Sequence, residues 1–242
     1  MKISSTEAQN NFGKYLKIAS ELEDVIVTKN GKDLVKITYC GDPPAVREEA
    51  LNYYYNREGK MTYFEFLELS ANSDLRYEFI DGEVYCLAAP TRRHQYAVIK
   101  MSTAFENWFD GKKCQPFTSP FDVTLKKNRE NINVVQPDIM VICDMDNFDE
   151  KDKYLGVPAL VVEVLSDSTR RKDIAIKMNL YWDTGVKEYW VVDPIKKEIQ
   201  VYAFAGEDRD DYLFTGDMTA ESVVFKGLEI SLPKVFQEQQ IK

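Results

Sequence analysis

Four side chains in this sequence are of the types that handle phosphoryl chemistry. Asp138 follows Pro137 and heads the apolar run IMVIC, Glu163 stands inside ALVVEVLS, Glu78 lies in RYEFIDGEVY, and Lys177 lies in the segment after Glu163. A run as rich in Val and Leu as ALVVEVL reads as a strand buried on both faces. An ionised Glu left unpaired there is costly, so a metal, an Arg or a Lys must compensate it. Hard divalent cations take carboxylate oxygens and keep several waters. Held against a phosphodiester, such an ion polarises the phosphoryl oxygen and lowers the pKa of an attacking water. A lysine beside it can orient that water or stabilise the developing negative charge. His94 is the sole histidine, so a histidine-rich zinc site is excluded and any metal would sit on oxygen ligands.

Each of these residues also has a plainer reading. Glu163 could pair with an internal Arg or Lys, Glu78 with Arg76 or Arg92 at the surface, and Lys177 could be an exposed helical charge near Asp173. Asp173 either caps its helix or helps set the site. His94 follows PTRR at a helix start, where a structural hydrogen bond is the simpler role than general-base work. Ser166 lacks a nucleophile-elbow context, which argues against acyl transfer.

The elements that must position these groups follow from the pattern. Thr62 with Glu65 forms a capping box before an apolar run. RYEFI and EVYCLAA are joined by Asp81-Gly82, a hairpin signal. A long amphipathic helix covers roughly His94 to Phe109 and stops at Gly111. Strands follow near CQPF, FDVTL, VVQPDIMVIC and ALVVEVL, and KKNRENIN reads as a solvated hairpin tip. A helix, RKDIAIKMNLYWDTG, ends at Gly185 and precedes the strands EYWVVD and IQVYAF. Strands and helices alternating at this spacing predict an α/β mixed sheet with helices on its faces.

The first forty residues form a separate pattern: a short strand MKIS, a helix opened by Thr6 with Gln9 and carrying Phe12, Leu16 and Ala19 on one face up to Leu22, and the hairpin VIVT-Lys-Asn30-Gly31-Lys-LVKIT. Such a unit is too small to be stable alone, so it is expected to dimerise or dock. Gly41-Asp-Pro-Pro44 ends it, and residues 45–60 read as a polar helical connector.

Composition bounds the partners. The chain has 242 residues, 44% of them hydrophobic, and a net charge of -9, which argues against a surface coated for nucleic acid but leaves room for a local basic groove. Residues 1–57 hold eight basic and eight acidic residues, so the acidic excess lies beyond them. No apolar run approaches a membrane span, and MKISSTEAQNNF lacks the apolar core of a secretion signal. The four cysteines form no CxxC, so reduced thiols in a cytoplasmic protein are expected.

Pro137-Asp138 followed by Glu163-Val164-Leu165 resembles the PD-(D/E)XK nuclease motif, except that the lysine expected two residues after Glu163 is Leu165. Together with RYEFIDGEVY, PTRRHQ, LVVEVLSDSTRRKD and MNLYWDTGVKEYWVVDP, the pattern resembles the Uma-type family of restriction-endonuclease-like proteins from about Thr62 to Phe204. The resemblance implies a restriction-endonuclease-like domain at 61–242. It further implies Mg2+-dependent (or Mn2+-dependent) hydrolysis of nucleic acid, with DNA the expected substrate. Asp138 and Glu163 would be the metal ligands, Glu78 the first acid, and Lys177 a lysine displaced onto the following helix. On a helical wheel Lys177 lies about 40° from Tyr181, at the edge of the apolar face of Ile174, Met178, Tyr181 and Trp182, from which its amine could reach the Glu163 strand. Lys172 lies on the opposite side. Residues 1–44, through the IS strand, TEAQNNF and VIVTKNGK, resemble the N-terminal part of Phd/YefM antitoxins. That resemblance implies a homodimerising module, operator binding or a toxin–antitoxin partner. The rival from a different class is a non-catalytic DNA-binding or toxin–antitoxin-type regulator that keeps a nuclease fold, and the displaced lysine and acidic charge favour it.

Overall fold

The computed structural model describes residues 2–10, 12, 15, 16, 19, 25–29, 31–37, 60–166, 172–206 and 208–237. The chain divides into two compact units, Met1–Tyr55 and Asn56–Lys242. The Gly41–Pro44 cluster, Leu22 and the connector at 45–60, apart from Lys60, lie outside the described residues.

In the small unit, β1 (Lys2–Ser4) pairs in parallel with β2 (Val25–Lys29), which pairs antiparallel with β3 (Lys32–Ile37). Helix α1 (Ser5–Asn10) follows β1 directly, and helical backbone recurs at Phe12, Tyr15, Leu16 and Ala19. The helix opens two residues earlier than Thr6 and Gln9 suggested. Ser4 Oγ accepts from the Glu7 N–H at 3.1 Å, so the side-chain cap falls where the strand ends. Ala8, Tyr15 and Ala19 pack with Ile3, Val25 and Val27, and the Tyr15 hydroxyl donates to Glu7. The expected apolar stripe is therefore split: Ala19 is buried, whereas Phe12 and Leu16 remain 54% and 44% exposed at its edge.

The large unit holds two principal sheets. β4 (Tyr77–Ile80), β5 (Glu83–Cys86), β7 (Val123–Lys126) and β8 (Ile132–Val135) make an antiparallel sheet in the order β5-β4-β8-β7. β6 (Gln115–Thr118), β9 (Ile139–Ile142), β10 (Leu160–Val164), β11 (Glu188–Asp193), β12 (Glu198–Ala205) and β13 (Asp208–Thr215) make a mixed sheet in the order β13-β12-β11-β10-β9-β6. Only the β10–β11 pair in it is parallel. A small pair, β14 (Thr219–Glu221) with β15 (Glu229–Ser231), completes the strands. VVQPDIMVIC, expected as one strand, is thus two strands in different sheets. Pro137 has no N–H to give a ladder, and the chain changes sheet across Gln136–Asp138.

One face of the mixed sheet, with Leu160, Val162 and Val164, packs against α3 (Arg92–Phe109) through Ala97, Met101, Phe105 and Phe109, and against α5 (Leu232–Phe236). The opposite face, with Met140, Val161 and Leu165, packs on Leu180 and Tyr181 and on Ile80, Val123 and Val135 of the small sheet. Alternation along β10 puts Glu163 on this second face. Upstream of β4, helix α2 (Tyr63–Ala71) carries the expected capping box, with Thr62 accepting from the Glu65 N–H and Glu65 accepting from the Thr62 N–H. Asp81 and Gly82 turn the β4–β5 hairpin with φ of 51° and 83°, the positive values that an Asp-Gly type I′ turn requires.

The helix after β10 is not regular. Lys172–Lys177 form a wide π turn that leads into α4 (Met178–Thr184), closed by Gly185 at φ 91°. Its buried side is Asp173, Lys177, Leu180 and Tyr181, while Ile174 is exposed, so the face that turns inward carries more charge than the apolar pattern indicated. At the other end of the sheet the β6–β9 register sets Gln115 opposite Ile142. The next residues out, Cys114 and Cys143, have Cα atoms 4.0 Å apart and form a disulfide, contrary to the expectation of reduced thiols.

Glu188 on β11 is a second wholly buried carboxylate, and burial raises its pKa. It accepts from the Trp190 indole N–H, the Ser222 hydroxyl and the Val223 and Val224 N–H groups, tying the loop after β14 to the sheet. Glu188→Leu should therefore leave these donors orphaned and destabilise the large unit by about 3 kcal/mol. Urea denaturation checks this, and Glu188→Gln should lose less.

Candidate active site

Arg76, Glu78, His94, Asp138, Glu163, Asp173 and Lys177 line one cavity of about 340 Å³, and Leu87–Pro90 and Ser119–Pro120 lie along it. The cavity opens where the two sheets of the large unit meet. Glu78 comes from the small sheet, Glu163 from the mixed sheet, Asp138 from the crossing between them, and Lys177 from the π turn. The four residues singled out by type and spacing are thus side by side, and Asp173, which the spacing left undecided, stands with them.

Lys177 is the hinge of the arrangement. Its Nζ lies 2.7 Å from Glu78 Oε1, 2.7 Å from Glu163 Oε1 and 3.6 Å from Asp173 Oδ1. It is 2% exposed, so the amine is buried among the acids instead of lying at a solvated helix edge. Burial alone would depress its pKa, but Glu163, Glu78 and Asp173 outweigh that and raise it well above the usual lysine value. Glu163 Oε1 also accepts from the Tyr181 hydroxyl at 2.7 Å. Burial is the main cause that pushes the Glu163 carboxyl up to about 8. Lys177 pulls against it, and the charges of Asp173, Asp138 and Glu78 add to it. Glu78 Oε1 accepts in addition from the Gln136 N–H at 3.0 Å, which fixes the small sheet to the crossing strand. Glu78 is therefore paired with Lys177 and not held by a surface arginine alone.

Asp138 Oδ2 accepts from the Val164 N–H at 2.8 Å and stands 3.2 Å from His94 Nε2. His94 ends the buried stripe of α3, three residues into the helix capped by Thr91. It thereby orients Asp138, and its Nδ1 is buried with no hydrogen-bond partner among the described residues.

Among the described residues no three His, Cys, Asp or Glu side chains converge as a ready metal cage. Mg2+ does not need one, since it is commonly held by one or two carboxylates and completes its shell with water and phosphate. Asp138 Oδ1 and Glu163 Oε2 make no hydrogen bond to a described residue, and both residues line the cavity. The donor set fits a hard divalent cation in that limited sense. Sequence reasoning passed over Arg76 as a site residue, though its spacing of two from Glu78 on an alternating strand was the available signal.

The fold is that of a nuclease-like α/β protein. The crystal structure of "a putative nuclease belonging to DUF820" from Anabaena variabilis ATCC 29413 matches with a TM-score of 0.61 at 19% identity, covering 73% of this chain and 98% of that one. The chain belongs to the Uma2 family, described as "Putative restriction endonuclease", whose sequence profile matches residues 63–233. It is also similar to two uncharacterized proteins of Synechocystis sp. (strain ATCC 27184 / PCC 6803 / Kazusa). The protein slr1290 is 27% identical over 173 residues, covering 71% of this chain and 88% of that protein. The protein sll1609 is 24% identical over 149 residues, covering 61% and 82%. The residues matched by the family profile fall within the large unit. No helix among the described residues is long and apolar enough to cross a membrane.

Removing the ammonium would leave Glu78 and Glu163 buried without their shared cation. Lys177→Met is expected to cost about 3–5 kcal/mol of stability, the usual penalty for breaking a buried pair from one side. A urea midpoint equal to that of the parent would show that the acids are neutralised some other way.

Proposed function

We propose that this protein is a divalent-metal-dependent endonuclease that hydrolyses phosphodiester bonds of nucleic acid, with DNA as substrate and Mg2+, or Mn2+ in its place, as the ion. The observation that carries the reading is Lys177 Nζ held 2.7 Å from both Glu78 and Glu163 in the cavity that Asp138 also lines. Family membership and the nuclease-like fold support it.

Asp138 and Glu163 would hold the ion through the oxygens left without hydrogen bonds. When bound, the ion would supply Lewis-acid stabilisation of the phosphoryl oxygens and a more acidic water. The chain's own residues do the rest. Lys177 presents a fixed positive charge where negative charge develops, with no reorganisation needed during the reaction. Glu78 acts through Lys177, holding the amine together with Glu163. His94 and the Val164 N–H fix one oxygen of Asp138 and so aim the other.

Glu163→Gln keeps the shape and the acceptor for Tyr181 but removes the charge. It should abolish divalent-dependent cleavage of duplex DNA and weaken Mn2+ binding measured by calorimetry, while the circular dichroism spectrum is retained. Cleavage at the parental rate by this variant would sink the mechanism.

The small unit is proposed to pair with a second copy, holding two nuclease units together. Phe12 and Leu16 are exposed beside a core of few residues, and a unit of this size cannot cover them itself. Phe12→Asp should convert a dimer to a monomer in light scattering across a concentration series. A parent chain that is already monomeric at high concentration would remove the pairing.

A further inference from the structure

Among the described residues the cavity carries two cations with different fates. Lys177 is held between Glu78 and Glu163 and is almost wholly buried. Arg76 is only half-buried, lines the same cavity, and its guanidinium makes no ion pair with a described residue. It lies one residue before β4, and the ladder extends to it because the Leu87 N–H donates to its carbonyl at 2.9 Å. Strand alternation then puts Arg76 on the face of Glu78, towards the cavity, while Tyr77 and Phe79 turn the other way. The Leu87 bond also ties this position to the Leu87–Pro90 segment along the opening.

Four carboxylates line the cavity, so an anionic substrate is repelled unless some cation meets it. Lys177 can act on charge that develops at the reacting group, but Glu78 and Glu163 offset its charge, so the cavity stays anionic towards an arriving substrate. An arginine offers a planar fork of donors that matches two oxygens of a phosphate, and it stays charged at any relevant pH. We infer that Arg76 is the phosphate-binding residue of this cavity, taking the non-bridging oxygens of a nucleic-acid phosphodiester and seating it against Asp138 and Glu163. The inference rests on the nuclease reading for its ligand, and on the placement of Arg76 for the residue.

The test uses the full-length protein, Arg76→Met and Arg76→Lys. Three quantities are read: Mn2+ binding by calorimetry, broadening of the 31P resonance of inorganic phosphate, and binding of a labelled DNA duplex against salt concentration. Arg76→Met should bind Mn2+ as the parent does and lose the phosphate broadening. Its log-log salt slope for the duplex should fall by about one unit, as for the loss of one phosphate contact. Arg76→Lys should restore the slope through its charge and only part of the phosphate broadening, because the fork is gone. Parental broadening in Arg76→Met, no broadening in the parent, or loss of Mn2+ binding in Arg76→Met overturns the assignment. Phosphate binding that depends on Arg76 in a protein that cuts no nucleic acid keeps the subsite and removes the nuclease reading instead.

Discussion

One ammonium group shared by two buried glutamates is the constraint on which the large unit depends. Glu78 and Glu163 belong to different sheets, and neither could stay ionised in its place without a cation at contact distance. Lys177 answers both, so the small sheet, the mixed sheet and the helix after β10 are held in one register by charge as well as by packing. The balance is incomplete: Asp173 and Asp138 add to the anionic field, and the Glu163 carboxyl remains pushed up to about 8 despite the lysine. A cluster left short of positive charge suits the arrival of another cation, or of a substrate that brings one.

Glu188 shows why burial by itself does not identify such a place. It is as buried as Glu163, lies on the adjacent strand, and has its pKa raised by the same cause. Its hydrogen-bonding capacity is nonetheless filled by an indole, a hydroxyl and two backbone N–H groups, all from structural elements. The difference lies in the partners. Glu188 is satisfied by neutral donors that hold a loop, whereas Glu163 faces other charged groups and open volume.

Much of the site was legible because its acids interrupt strong local patterns. Glu163 breaks a run of Val and Leu, and Asp138 follows a proline that cannot continue a strand. The Thr62 cap and the Asp81-Gly82 hairpin were readable for the same reason, since local backbone chemistry decides them. What could not be read depended on neighbours distant in sequence. The division of VVQPDIMVIC between two sheets is set by pairing partners, and the disulfide by the register that puts Cys114 across from Cys143. Asp173 stayed open between capping and site roles because its place depends on distant neighbours: its carbonyl accepts from the Tyr189 hydroxyl and its carboxylate faces Lys177. Ser4 was passed over as a cap because the strand and helix abut without a loop.

The π turn at Lys172–Lys177 sets the phase of the helix that carries the amine. A π turn takes more residues per turn than an α-helix, so Lys172–Lys177 shift the phase of the side chains that lead into α4. Position 165, one residue past β10, holds a buried leucine, and the amine beside Glu163 comes from the turn. One residue fewer in that turn would rotate Lys177 away from Glu78 and Glu163 while leaving the sequence of the acids unchanged. Searches that demand a lysine on the strand would pass over a chain that delivers it from the turn.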